Sequence, residues 1–205
     1  MQKLAIILAL LAVSLVNSQT NYEKGMQKAF ELWGSNTVEA SNLFERIAKA
    51  EPNNWLPSYY AAQINIVSSF GEKDKEKLTL QLAKAQDLLN NATAISKNNP
   101  ELLVMEALLN TAWVAYDGAT YGMTLSPKVS ALYAQAEKIS PNNPRVVLNK
   151  AEWGMGSARF FGQDTKPFCK DVERALELFA NFKPETPFHP KWGKERAEQI
   201  LADCN

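Results

Sequence analysis

The sequence predicts an all-α chain: an α-solenoid of helix-turn-helix repeats, with about nine helices after an N-terminal leader. Three observations carry this. Five columns recur at steps of 44 to 46 residues: Leu43, Leu88, Leu132, Leu178; Phe44, Leu89, Tyr133, Phe179; Ala40, Ala85, Val129, Ala175; Ala62, Ala107, Ala151, Ala197; and Pro52, Lys97, Pro141, Pro187. Within each unit, apolar residues fall at helical spacing and no stretch alternates as a strand would. Turn-forming clusters punctuate the units at matching places, as in Pro52-Asn53-Asn54, Lys97-Asn98-Asn99-Pro100 and Pro141-Asn142-Asn143-Pro144. A fixed period of this length means stacked supersecondary units that bury a shared core.

Residues 1–18 read as a secretory signal peptide: Lys3 supplies the positive charge, Leu4 to Val16 the apolar run, and Val16-Asn17-Ser18 a cleavage site after Ser18. An uncleaved anchor is the alternative, but thirteen residues reach only about 20 Å against a hydrocarbon core of ~30 Å. The remainder, 19–205, forms one repeat domain with units at about 22–54, 55–99, 100–143 and 144–189 and a capping helix in 190–205. In the first unit, Tyr22, Met26, Ala29, Phe30 and Trp33 share one helix face. Gly34-Ser35-Asn36 breaks that helix, and Asn36 or Thr37 caps a second one running to about Ala50. The second unit opens at Leu56 or Pro57 and continues, after a charged connector, with a helix from about Asp74 to Ser96. The third places a helix at Pro100 to about Tyr116. Gly118 and Gly122 are expected to loosen the chain beyond Asp117, and Ser126-Pro127 to open the next helix with Pro just inside its start. The fourth spans Arg145 to about Phe161 and Pro167 to about Phe182. A Pro-rich turn then leads to a last helix from about Lys191 to Asp203.

The segments Glu39–Asn54 and Val129–Pro144 resemble the second helix and exit turn of a tetratricopeptide repeat: Val129, Tyr133, Ala136 and Pro141 match its small, aromatic, small and Pro positions. Ala62, Ala107, Ala151 and Ala197 resemble its small first-helix residue. The resemblance covers roughly 22–203 and implies a groove lined by first helices that holds a partner. The usual period is about 34 residues; here the additional residues fall inside the units, at 69–78, 117–128 and 156–168. HEAT-like and other α-solenoids also suit the longer period.

Composition narrows the partner. Lys plus Arg and Asp plus Glu are 22 each, so a nucleic acid or an anionic membrane surface is not expected. No apolar stretch after the leader is long enough to span a membrane. Cys169 and Cys204 are the only cysteines. In an exported chain an even count favours a disulfide, which would stabilise by roughly 3–4 kcal/mol; two buried free thiols are the alternative. With His189 the single histidine, a metal site is not expected, and no cofactor is implied.

No catalytic set stands out. His189 lies in a turn, Glu106 and Glu152 read as helix-surface charges, and Gly154-Met155-Gly156 lacks the preceding strand of a dinucleotide fingerprint. The chain is therefore expected not to be an enzyme. The aromatics Trp33, Trp55, Trp113, Trp153 and Trp192, with Tyr59, Tyr60, Tyr116, Tyr121, Phe160 and Phe161, read as packing or as a groove. Tyr59, Gln63, Glu101, Arg145 and Glu152 are the candidates for the binding face, with Arg145 and Arg159 able to grip a carboxylate such as a peptide end. The leading expectation is an exported module, periplasmic or secreted from a bacterium, that binds a protein or peptide. A small-molecule or glycan-binding protein using its aromatics is the alternative.

Overall fold

The computed structural model describes residues 21–204, so the expected leader lies outside the described residues. Among the described residues every regular element is helical. The order is α1 (21–33), α2 (Thr37–Ala50), α3 (Trp55–Ser69), α4 (Lys75–Ile95), α5 (Pro100–Tyr116), α6 (Gly118–Ile139), α7 (Pro144–Phe160), a 3-10 turn (Lys166–Phe168), α8 (Cys169–Asn181) and α9 (Lys194–Ala202). The Asn-rich turns act as helix starters. Asn54, Asn99 and Asn143 accept hydrogen bonds from the first-turn amides of α3, α5 and α7, and Asn36 and Asp74 do the same for α2 and α4. Each cap satisfies backbone N–H groups that the helix itself leaves unpaired.

Helices pack on their sequence neighbours, and α3, α5 and α7 also touch one another in succession. The small columns explain the close approach. Ala40, Ala85, Val129 and Ala175, and Ala62, Ala107, Ala151 and Ala197, are buried in every unit. The leucine column is less uniform: Leu88 is buried, whereas Leu43, Leu132 and Leu178 are half-buried and pack against the core from its margin. The disulfide Cys169–Cys204 ties the start of α8 to the end of α9.

Two boundaries differ from the sequence reading. Gly118 and Gly122 do not loosen the chain, and Pro127 does not open a helix; α6 runs unbroken from Gly118 through Pro127 to Ile139. Asp117 starts it early by accepting from the Thr120 amide. The turn it grips outweighs the weak helix propensity of two glycines. The additional residues of this unit therefore lengthen a helix rather than a connector. At the other end, α9 begins at Lys194, because Gly193 holds φ at +112, a conformation outside the helix that favours glycine. The segment 182–193 is thereby released from both helices. It folds back as a strap across α7, α5, α3 and α1.

Candidate functional site

The strap is fastened by side chains from the row of first helices. The Tyr60 hydroxyl donates to the Phe188 carbonyl at 2.7 Å, and Trp192 Nε1 donates to the Tyr59 hydroxyl at 2.7 Å. Phe188 stacks on Phe30 at 6.2 Å and meets Tyr22 edge-on at 5.5 Å. Burial pushes both tyrosine hydroxyls above their ordinary range, so both stay protonated.

Beneath the strap lies a buried polar cluster. Arg145 Nε donates to Glu101 Oε2 at 2.7 Å and Nη2 to Oε1 at 2.6 Å, a bidentate pair. Asn143 Nδ2 adds a third bond to Oε1 at 2.6 Å. Phe182 covers the guanidinium from above, 4.4 Å from ring centroid to Cζ. His189 sits between Phe182 and Trp55 with Nε2 3.9 Å from Glu101 Oε1 and Nδ1 4.0 Å from Glu185 Oε2. Burial pushes its imidazole below the ordinary 6.5; Glu101 opposes this, Arg145 adds to it, and Glu185 opposes it again.

Two clefts flank the strap and share His189. One is an aromatic groove of about 360 Å³ between α1, α3 and the strap. Phe30, Trp33, Tyr60, Phe188 and Trp192 give it a ring-lined wall, within which Phe30 and Phe188 stack on each other, with Gln63 on the floor and the exposed Lys191 at the mouth. The aromatic contacts of this wall are close: Phe30 meets Tyr60 at 4.7 Å, and Trp33 meets Tyr60 at 6.1 Å. The other is a polar cleft of about 430 Å³ lined by the Asn-rich turns before α5 and α7, with Lys97, Lys183 and Glu185. Both fall in the size range of small-molecule sites.

The residues singled out from the sequence divide among these features. Gln63 lines the groove. Tyr59, Glu101 and Arg145 are fully buried beneath the strap, and the carboxylate that Arg145 grips belongs to Glu101 of the same chain. Glu152 is half-buried and accepts from Arg196 Nε at 2.7 Å. Arg159 is exposed in the last turn of α7. Trp113 stands against Tyr121, and Trp153 Nε1 donates to Ser130. Glu106 is engaged by Lys128 and Gln86, so Glu106, Glu152 and His189 have separate partners. Among the described residues no group of three or more His, Cys, Asp or Glu could hold a metal ion, and no helix is long and apolar enough to cross a membrane. Sequence reasoning did not single out Phe30, Phe188 or Lys191 as site residues. The available signal was the density of rings in 182–192, a segment with no helical period of its own.

These features define a class: an all-α protein with a disulfide-tied end and an aromatic groove closed on one side by its own strap. Neither the family models nor the curated proteins searched contain a match to the sequence. The fold is similar to that of the HusA haemophore from Porphyromonas gingivalis, with a TM-score of 0.78 over 89% of this chain and 91% of that one, at 22% identity.

Proposed function

We propose that this chain is an exported, non-enzymatic binding protein that takes a flat, largely apolar ligand with an anionic edge, of the tetrapyrrole class, in the aromatic groove. The observation that carries the reading is the pairing of a ring-lined groove with a cation at the mouth, Lys191. Flat apolar ligands gain from offset stacking on such walls, and a carboxylate at the ligand edge gains a charge-assisted bond to the ammonium. The likeness of the fold to a haemophore supports the same ligand class. His189, the single imidazole, has its nitrogens toward Glu101 and Glu185, so the ligand is held by its faces and edge. We read the stack of helices as a tetratricopeptide-like solenoid with lengthened units, in four repeats and a cap. The strap covers the first-helix face on which a peptide was expected, which favours the small-molecule reading over a peptide groove. Export is favoured by the apolar leader and the disulfide.

An absorbance titration with protoporphyrin IX tests this. Saturable one-to-one binding is expected, weakened roughly tenfold or more by Trp33→Ala, since a buried aromatic anchor is commonly worth more than 1 kcal/mol. Lys191→Glu should weaken it by a smaller factor. Lack of saturable binding by the wild type would remove the reading.

A further inference from the structure

Gln63 stands on α3 one turn after Tyr60, on the floor of the aromatic groove, and is only 5% exposed. Its Oε1 is buried without a hydrogen-bond partner, and its Nε2 donates to no side chain or carbonyl among the described residues. The nearby polar groups are already committed: the Tyr60 hydroxyl to Phe188, and Trp192 Nε1 to Tyr59. A buried amide oxygen left without a donor costs stability, so folding alone does not explain its presence. Nor does the groove floor offer a free positive charge. Arg145 is bound to Glu101, and Lys191 lies exposed at the mouth.

An amide with a free donor beside a free acceptor is complementary to a carboxylic acid in its neutral form. A ring-walled site without a counter-charge also favours that neutral form. We propose that Gln63 holds one carboxylic acid group of the ligand, with Oε1 accepting from the acid O–H and Nε2 donating to its carbonyl oxygen, while Lys191 pairs with a second, ionised carboxylate. This rests on the tetrapyrrole reading above, and it narrows the ligand to one with two acid groups, of which one enters the groove. Ligand binding then takes up a proton near neutral pH. The other groups facing the site are His189 and Lys191 on the strap, Tyr60 on α3, and Glu101 and Arg145 beneath; α1 contributes only rings.

Calorimetric titration of protoporphyrin IX at pH 7, in two buffers of different ionisation heat, counts that proton. Wild type should take up about one proton per ligand in the linkage sense. Gln63→Leu should take up almost none and bind more weakly, while Lys191→Ala should bind more weakly yet keep the uptake. Since His189 is intact in both variants, the contrast isolates Gln63. Ligand-free Gln63→Leu should melt higher by roughly 2–4 °C, having lost an unsatisfied polar group; Gln63→Met, of similar length, replaces it if folding is impaired. Uptake that is zero in wild type, or unchanged in Gln63→Leu, overturns this inference and leaves the tetrapyrrole reading standing. Absence of binding ends both.

Discussion

Two ion pairs join helices that lie two elements apart in the chain, Glu101–Arg145 between α5 and α7 and Glu152–Arg196 between α7 and α9, and each spans 44 positions of sequence. The first is sealed, with side chains 0% exposed for Arg145 and 2% for Glu101. The second is open, with Arg196 at 58% and Glu152 at 27%. Both join a carboxylate on one helix to an arginine on a later one, but only Glu101 and Arg145 occupy equivalent columns; Arg196 lies two positions short of the 46-residue step from Glu152. What differs is the cover. Phe182 and His189 of the strap lie over Arg145 and Glu101. Water screens the second pair, so it contributes little; the first has lost its hydration and depends on the bidentate bonds through Nε and Nη2, since Arg145 Nη1 is buried without a hydrogen-bond partner. The contrast shows that the strap turns an ordinary surface register into an interior, and that the same cover forms one wall of the aromatic groove.

The largest way to break the contrast is Arg145→Ala. It leaves Glu101 buried without its partner and should cost about 3–5 kcal/mol in urea unfolding. The double replacement Arg145→Met with Glu101→Leu should recover most of that loss, because burying neither charge removes the desolvation cost. Removing the disulfide with Cys169→Ser and Cys204→Ser should cost about 2–4 kcal/mol by the same measurement. It loosens α9, which carries Arg196, and should leave the sealed pair intact. Amide exchange would show protection lost in α9 and kept in α5. His189 gives a pH handle on the sealed side. Its folded pKa lies below the ordinary 6.5, so its contribution is fully present above that value and is lost as pH falls through the folded pKa. Thermal melts should therefore decline below about pH 6.5 in wild type and more shallowly in His189→Asn. The smallest effect belongs to the open pair: Arg196→Ala should change stability by at most about 1 kcal/mol, and less at high salt.

Much of the scaffold was legible in the sequence because it is periodic. The alanine columns mark positions where helices must approach closely, and the second Asn of each turn marks a cap, so helices α2 to α5 and α7 follow from local chemistry. The register also carries the sealed pair, Glu101 and Arg145, as opposite charges one period apart. The start of α6 was not legible, since propensity at Gly118, Gly122 and Pro127 argued against a helix that the Asp117 cap and packing on α5 sustain. The strap was hidden for a different reason. Its fastenings, Tyr60 to Phe188 and Tyr59 to Trp192, span 128 and 133 residues and leave no period to detect. The groove depends on those fastenings, and so its walls could not be assembled from spacing, although the face of α3 does point to Gln63.

The central claim is that the aromatic groove, rather than the polar cleft on the other side of His189, is the binding site. Amide NMR of the labelled protein during titration with protoporphyrin IX tests it most directly. The account predicts that shifts concentrate at Phe30, Trp33, Tyr60, Gln63 and the strap residues Phe188 to Trp192. Shifts centred on Lys97 to Asn99 and Asn142, with the groove residues unmoved, would contradict it.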